Sequence, residues 1–220
     1  MTDLSNRRPI ASRASGWAAA LAAGMARNRV SPDMISGMSM AFALVGFGAF
    51  ALSGLSAGPA RVIWLGLAVF MIQLRLIANL LDGMVAVEHG QAGPLGPVWN
   101  ELPDRISDAL FFVGAGYAAF AAAPHLGPAL GWLCAVLALT TAYVRELGRG
   151  LGQTADFGGP MAKPQRMAAL TAVALASMFE GAWGWKGEGL MWGLMLIAAL
   201  TALTVFLRTR TLARALRGRP

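Results

Sequence analysis

Residues 34–60 read MISGMSMAFALVGFGAFALSGLSAGPA and contain no charged side chain. An α-helix rises about 1.5 Å per residue, so roughly 20 apolar residues are enough to cross the hydrocarbon core of a bilayer. Residues 34–60 are long enough for one full crossing, and they predict a membrane-spanning helix.

The remaining apolar stretches predict five further crossings. Two of them come from one uncharged stretch, residues 109–144, which the turn residues from Pro124 to Pro128 divide. The others are expected at residues 61–89, 164–183 and 189–207. We therefore expect an all-α integral membrane bundle of six transmembrane helices.

The overall composition agrees with this expectation. Hydrophobic residues make up 56% and charged residues 13% of the 220-residue chain, whereas soluble domains have about 45–50% and about 25%. A soluble globular protein cannot bury this excess, and a disordered chain would be more polar. The single cysteine excludes an intramolecular disulfide and a cysteine-rich metal site.

The net charge of +7 comes from arginines that flank the predicted membrane region. Positive charge gathers on the cytoplasmic side of membrane proteins, so we expect both termini in the cytoplasm and no nucleic acid partner.

Residues 1–30 are expected to form a cytoplasmic segment with an interfacial amphipathic helix, residues 31–210 the membrane domain, and residues 211–220 a basic cytoplasmic tail. The Ala- and Arg-rich composition suggests a bacterial cytoplasmic (inner) membrane.

Polar and acidic residues cluster where the second and third predicted helices reach the cytoplasmic side. One face of each helix carries them: Asn79, Asp82 and Ala86 on the second, and Asn100, Asp104 and Asp108 on the third. Facing carboxylates repel each other unless a cation lies between them, and hard divalent cations with oxygen ligands are the natural candidates. Two such ions about 3.5–4 Å apart would clamp a diphosphate and assist displacement at phosphorus. The simpler alternative is a charged helix cap at the level of the lipid headgroups.

The same residues resemble a known family. The segments NLLDGMVAV at 79–87 and GPVWNELPD at 96–104 resemble the signature of the CDP-alcohol phosphatidyltransferases, D-x2-D-G-x2-A-R followed by G-x3-D-x3-D. Residues 31–36, 145–146 and 161–167 resemble further elements of that family. The resemblance implies a six-helix membrane bundle, often a homodimer, with an active site open to the cytoplasm. It also implies transfer of a substituted phosphate from a CDP-linked donor to an alcohol hydroxyl, with release of CMP.

The resemblance further implies roles for individual residues. Asp82 would bind the metal ion, Mg²⁺ or Mn²⁺, and Asp104 would bind the metal and take the proton of the acceptor. Asn79 and Asn100 stand at the other metal-ligand positions of the signature. The residues that would pack around the cytidine nucleotide are Gly83, Ala86 and Gly96.

The sequence departs from the signature at three positions. Asn79 and Asn100 stand where the family has aspartates, which removes two negative charges, although an amide oxygen can still bind a hard cation. Val87 stands where the family has arginine. Arg75 or Arg105 would then have to contact the diphosphate of the donor.

A second basic group flanks the third cytoplasmic loop. Its members are Arg145, Arg149, Lys163 and Arg166. Because arginine and lysine bind phosphate well, these residues are candidates to hold a phosphorylated alcohol such as glycerol 3-phosphate or an inositol phosphate. The alternative is that they only enforce the membrane topology.

The expected function is transfer of a phosphatidyl group from CDP-diacylglycerol to an alcohol in phospholipid synthesis. Three alternatives remain: a phosphotransferase that moves a phosphoalcohol to diacylglycerol, a non-catalytic member that binds nucleotide or lipid, and a small membrane transporter. A transporter predicts polar groups in the outer half of the bundle, where Glu180 has no partner that the sequence identifies.

Overall fold

The computed structural model describes residues 15–88, 90 and 95–218, except for the side chains of Pro97 and Asn100. The expectations for residues 1–14 and for the Asn100 side chain therefore lie outside the described residues. Within them the chain is all-helical. The helices are α1 Gly16–Arg27, α2 Pro32–Gly54, α3 Gly58–Glu88, α4 Gly96–Ala118, α5 Leu126–Gly150, α6 Lys163–Ser177 and α7 Glu188–Arg217, with a 3-10 turn at Glu180–Trp183 between the last two.

Four of the described helices, α2, α3, α5 and α7, are long and apolar enough to cross a membrane. Their surfaces expose large apolar side chains, such as Ile63 at 67%, Phe70 at 55% and Leu196 at 60% of full exposure. Extended apolar surfaces of this kind are suited to lipid and not to water. The chain is therefore an integral membrane protein.

The other two predicted crossings correspond to α4 and α6. α6 has 15 residues, which is about 22 Å of helix and shorter than the hydrocarbon core. α4 is long enough, but its first half carries several charged side chains. Length and composition alone thus support four crossings within the described residues.

The start of α2 shows how the sequence sets a helix boundary. Ser31 precedes the helix, and its Oγ accepts a hydrogen bond from the backbone N–H of Met34 at 3.2 Å. Pro32 occupies the first helical position, where its missing N–H costs nothing. These residues fix the end of α2 that lies nearest the acidic cluster.

The helices pack in a chain of pairs. α2 packs against α3 and α4, α4 against α5, α5 against α7, and α6 against α3 and α7. Phe50, Phe111 and Phe112 are completely buried at the centre of this core. The N-terminal helix α1 packs its buried Ala18 and Ala22 with α3.

Glycines bring α4 and α5 into backbone contact. A Cβ atom on Gly131 would lie 2.7 Å from the carbonyl oxygen of Phe112, and one on Gly116 would lie 2.7 Å from that of Gly127. Real Cβ atoms do not approach backbone this closely, so only glycine fits at these positions. Small residues commonly serve this purpose in membrane helices, and here they fix the position of α4 against α5.

A buried network joins the helix ends opposite the acidic cluster. Arg61 donates from Nε and Nη2 to Oε1 of Glu180, at 3.0 and 2.5 Å. Its Nη1 donates to the carbonyl oxygens of Ser53 and Ala118, at 2.9 and 3.1 Å. The backbone N–H of Gly189 donates to Glu180 Oε2 at 3.1 Å. Glu180 is therefore a structural ion-pair partner, which removes the observation that favoured a transport pathway.

Candidate active site

The acidic residues lie where the C-terminal half of α3 meets the N-terminal half of α4. Asp82 on α3 and Asp108 on α4 are 6% and 2% exposed. Asp104 lies one helical turn before Asp108, close enough to Asp82 for their charges to interact. The two polar faces that the sequence predicts thus meet in a buried cluster.

One carboxylate oxygen of Asp82 accepts a hydrogen bond from a side chain, and the other does not. Ser36 on α2 donates its hydroxyl to Asp82 Oδ2 at 3.0 Å. Oδ1 is buried and accepts no hydrogen bond of good geometry. Because an unpaired buried carboxylate oxygen is costly, this atom marks a position where a ligand would be favourable.

Arg75 holds the two acids of α4. Its guanidinium is completely buried, and Nη2 lies 3.0 Å from Asp104 Oδ1 and 2.8 Å from Asp108 Oδ1. Nη2 also donates to the backbone oxygen of Asp104 at 3.0 Å. In this arrangement Arg75 orients Asp104, and contact with a donor diphosphate would require these ion pairs to open.

Lys163, the first residue of α6, reaches the same cluster from the opposite side. Its ammonium group donates to Asp104 Oδ2 and, at 3.0 Å, to Asn79 Oδ1. Asp104 therefore has a cation on each carboxylate oxygen. Asn79, at a metal-ligand position of the signature, uses its amide oxygen for the ammonium.

These residues determine how well a divalent cation fits. The described residues contain no group of three or more His, Cys, Asp or Glu side chains suited to hold a metal ion. Asp82 Oδ1 nevertheless offers one buried, open oxygen ligand. An ion bound there would be completed by Asp104, by amide oxygens or by oxygens of the substrate, since hard cations prefer oxygen ligands.

The predicted phosphate-binding residues separate into two groups. Arg166 is buried behind the acidic cluster, where it donates to Thr141 Oγ1 at 3.0 Å and to the backbone oxygen of Met161 at 2.9 Å. Arg145 lies nearer the surface, 2.7 Å from Glu101 Oε1 and 2.7 Å from Glu146 Oε1.

The remaining basic residues complete the surface group. Arg105 pairs with Glu101 on the same helix. Arg149 is half-exposed, with its Nη1 atom 2.8 Å from Glu146 Oε2. Lys163 and Arg166 thus belong to the acidic cluster, whereas Arg145, Arg149 and Arg105 form an ion-pair network around Glu101 and Glu146.

A cavity of about 310 Å³ opens between the C-terminal ends of α5 and α7 and the loop before α6. Its lining includes Arg145, Thr154, Asp156, Arg208 and Thr211. Arg208 is buried and donates to the backbone oxygens of Gly158 and Thr141, at 2.9 and 3.1 Å. Ser36 belongs to the segment 31–36 that resembles a family element, and Arg208 belongs to the arginines that flank the membrane region, but the sequence assigns neither side chain a contact with this site.

The residues expected around a nucleotide lie beside the acidic cluster. Gly83 and Ala86 are half-buried on α3, and Val87 next to them is 37% exposed. Gly96 begins α4, and a Cβ atom there would meet open space. Packing against the described residues therefore does not require glycine at position 96.

Comparison with known proteins supports the family resemblance, although no protein-family model matches the chain. The chain is 28% identical over 199 residues to the phosphatidylinositol phosphate synthase of Mycolicibacterium smegmatis, covering 89% of this chain and 80% of that protein. It is 26% identical over 185 residues to the synthase of the same name from Mycobacteroides abscessus, covering 82% of this chain and 78% of the relative.

The fold matches a solved enzyme of the same kind. The Mycobacterium tuberculosis phosphatidylinositol phosphate synthase PgsA1 with CDP-DAG bound superimposes with a TM-score of 0.74 at 21% identity, over 90% of this chain and 94% of that one. A second PgsA1 structure, in complex with manganese and citrate, gives a TM-score of 0.72 at 22% identity, over 89% and 88% of the two chains. At this identity the likeness establishes the fold.

Proposed function

From its place in the CDP-alcohol phosphatidyltransferase family, which its motif, its relatives and its fold support together, we propose that this chain transfers a phosphatidyl group from CDP-diacylglycerol to an alcohol. The observation that carries the proposal is the pair of Asp82, which is buried, and Asp104, whose side chain is 12% exposed, at the matching positions of the family signature. CMP is the leaving group, and the product is a phospholipid.

In the proposed reaction the chain orients its own groups around the phosphorus atom. A bound Mg²⁺ or Mn²⁺ ion supplies positive charge at the diphosphate. The acceptor hydroxyl attacks the phosphorus of the phosphatidyl group, the bond from that phosphorus to the CMP oxygen breaks, and Asp104 takes the hydroxyl proton. Arg75 holds Asp104 in position from the protein interior. Asp82 and Asp104, with Asn79 and Asn100 at the other two signature positions, are the proposed residues of the metal site.

The acceptor in this proposal is a phosphorylated alcohol. The relatives named above are phosphatidylinositol phosphate synthases, and a basic surface lies next to the acidic cluster in this chain. Arg145 and Arg149 on α5 are the proposed phosphate contacts, whereas Lys163 and Arg166 on α6, which the sequence also assigns to the acceptor, are proposed to act from within the acidic cluster. Gly83, Ala86 and Gly96 are proposed to face the cytidine nucleotide, and Arg105 to contact the diphosphate.

The proposed arrangement in the membrane has six crossings. α4 and α6 pack against helices that are long enough to cross, namely α2, α5 and α7, so they would traverse the bilayer within the bundle. Both termini and the acidic cluster would face the cytoplasm of a bacterium, with α1 on the inner leaflet. Homodimer formation is carried over from the family resemblance.

The test is CMP release by the purified protein from CDP-diacylglycerol, with a panel of phosphorylated and free alcohols and with Mg²⁺ or Mn²⁺. We expect release with one alcohol and one or both metals, and loss of at least about 100-fold for Asp104→Asn, because general base catalysis contributes this much or more. Glu188→Gln, at the opposite end of the bundle, is the matched acidic control.

Two results would contradict the proposal. CMP release that persists in Asp104→Asn would remove the role of this residue. Binding of CDP-diacylglycerol without CMP release from any alcohol would identify a non-catalytic member, which the two asparagines at metal-ligand positions favour. Two labelled donors separate the alternatives. Phosphatidyl transfer moves label from the diacylglycerol part of CDP-diacylglycerol into the product, whereas the other reaction moves label from the alcohol part of a CDP-alcohol onto diacylglycerol.

A further inference from the structure

Lys163 lies at a place where a two-ion site would need a cation. Its ammonium group contacts Asn79 and Asp104, which occupy two of the four acidic positions of the signature. An ammonium has three N–H donors, and a neutral amide oxygen accepts one of them without adding negative charge. The Asn79–Lys163 pair is therefore chemically matched: the asparagine removes a negative charge where the lysine supplies a positive one.

The charges of the cluster support the same conclusion. Its carboxylates are the buried Asp82 and Asp108 and the partly buried Asp104, and its cations are the buried Arg75 and Arg166 and the partly buried Lys163. The cations form ion pairs with Asp104 and Asp108, whereas Asp82 accepts hydrogen bonds from neutral groups, the Ser36 hydroxyl at 3.0 Å and the backbone of Gly83, and feels Lys163 only through its charge. Buried charge without a partner is costly. Because the three carboxylates of the cluster already face three cations, binding of two further divalent ions there would be unfavourable.

We propose that the Lys163 ammonium permanently takes the place of one metal ion, so that this chain binds a single divalent cation, at the open oxygen of Asp82. The proposal rests on the proposed function, because it assigns the cation positions of that site. This oxygen, Oδ1, belongs to a side chain that is 6% exposed, and no described residue donates a hydrogen bond of good geometry to it. Lys163 would then stabilise the charge of the donor diphosphate as a fixed cation.

The experiment is a count of Mn²⁺ ions bound to the full-length protein in detergent, with and without CDP-diacylglycerol. Equilibrium dialysis gives the stoichiometry, and electron paramagnetic resonance distinguishes an isolated Mn²⁺ ion from a spin-coupled pair. We expect one isolated ion per wild-type chain and none in Asp82→Asn. The combined change Asn79→Asp with Lys163→Met replaces the ammonium by a carboxylate ligand, and it should bind two spin-coupled ions.

Single variants test the role of the lysine charge. Removal of a positive charge close to a bound divalent ion should tighten Mn²⁺ binding by about tenfold or more in Lys163→Met. Lys163→Arg keeps the charge and should keep the stoichiometry at one. The chain has one other lysine, Lys186 in the loop before α7, and Lys186→Met is the matched control with unchanged Mn²⁺ affinity.

Two spin-coupled ions in the wild-type protein would overturn the proposal, as would no bound ion at all. An Mn²⁺ affinity in Lys163→Met within twofold of wild type would also overturn it. The wild-type count does not depend on whether any variant folds. CMP release measured on the same preparation tests the proposed function separately, because ions can be counted in a chain that does not turn over.

Discussion

The buried ion pair between Arg61 and Glu180 allows a quantitative test of the fold away from the acidic cluster. Arg61 is 7% and Glu180 3% exposed. Replacement of Arg61 by Met leaves the Glu180 carboxylate buried with one backbone donor, from Gly189. It also removes the donor that satisfies the carbonyl oxygens of Ser53 and Ala118 at the ends of α2 and α4.

The size of the effect follows from which groups are left unpaired. Removing one partner of a buried ion pair costs about 3–5 kcal/mol, because the remaining charge stays desolvated. We therefore expect Arg61→Met and Glu180→Met each to lower the free energy of unfolding by about 3–5 kcal/mol. The double variant leaves no buried charge. The groups that then lose a partner are the carbonyl oxygen of Ala118 and the backbone N–H of Gly189, since the Ser53 oxygen still accepts from the N–H of Ser56, and the remaining cost is about 1–3 kcal/mol. The double variant should thus be more stable than either single variant.

The assay is unfolding of the purified protein in mixed micelles by increasing denaturing detergent, analysed as a double-mutant cycle. Glu188→Gln changes a nearby acid that has no ion pair among the described residues, and the amide oxygen can still accept the hydrogen bond from the backbone N–H of Lys186, so the unfolding free energy should change by less than about 0.5 kcal/mol. A loss of less than about 1 kcal/mol in either single variant would contradict this prediction, as would losses of the two single variants that simply add in the double variant. Additive losses would mean that the two side chains act independently.

Two further predictions concern the glycine contact and the serine at the acidic cluster. Gly131→Ala should destabilise the protein by about 1–3 kcal/mol through overpacking against α4, whereas Gly48→Ala, where a Cβ meets open space, should not, as thermal unfolding in detergent will show. Ser36→Ala removes the hydroxyl donor to Asp82 and should weaken Mn²⁺ binding about tenfold in equilibrium dialysis. Ser39→Ala, a buried serine one turn further along α2, is the control, and equal effects of the two changes would contradict this role for Ser36.

Much of the fold follows from the sequence for simple physical reasons. A stretch such as residues 34–60 has no alternative to a buried or lipid-facing helix, and the helix α2 covers most of it. The positions of α4 and α6 are harder to predict from the distribution of apolar residues. α4 carries its charges into the bundle, where Arg75 and Lys163 compensate them, and a hydropathy pattern does not show compensation between distant residues.

The candidate site also has a part that the sequence predicts and a part that it does not. The spacing of Asn79, Asp82, Asn100 and Asp104 places them on two helix faces, so the acidic cluster is predictable from helical periodicity alone. The contact of Lys163 with Asn79 joins residues 84 positions apart in the chain. That contact depends on how α6 packs beside α3, which no local pattern encodes. The sequence accordingly placed Lys163 with the acceptor, whereas its described contacts are with the acids of the signature.

The glycine contact between α4 and α5 also sets the precision with which the distant aspartates are held. Gly116 and Asp104 lie on the same helix, twelve residues apart, which corresponds to about 18 Å along its axis. Over this distance, a tilt of α4 by about 5° at Gly116 displaces Asp104 by roughly 1.5 Å. Misplacement of a catalytic group by about 1 Å can lower the rate about 100-fold. A methyl group added at the contact between α4 and α5 would therefore push the two helices apart and displace the Asp104 end of α4 the most. The alignment of the aspartates in this protein thus depends on a close backbone contact at the opposite end of α4.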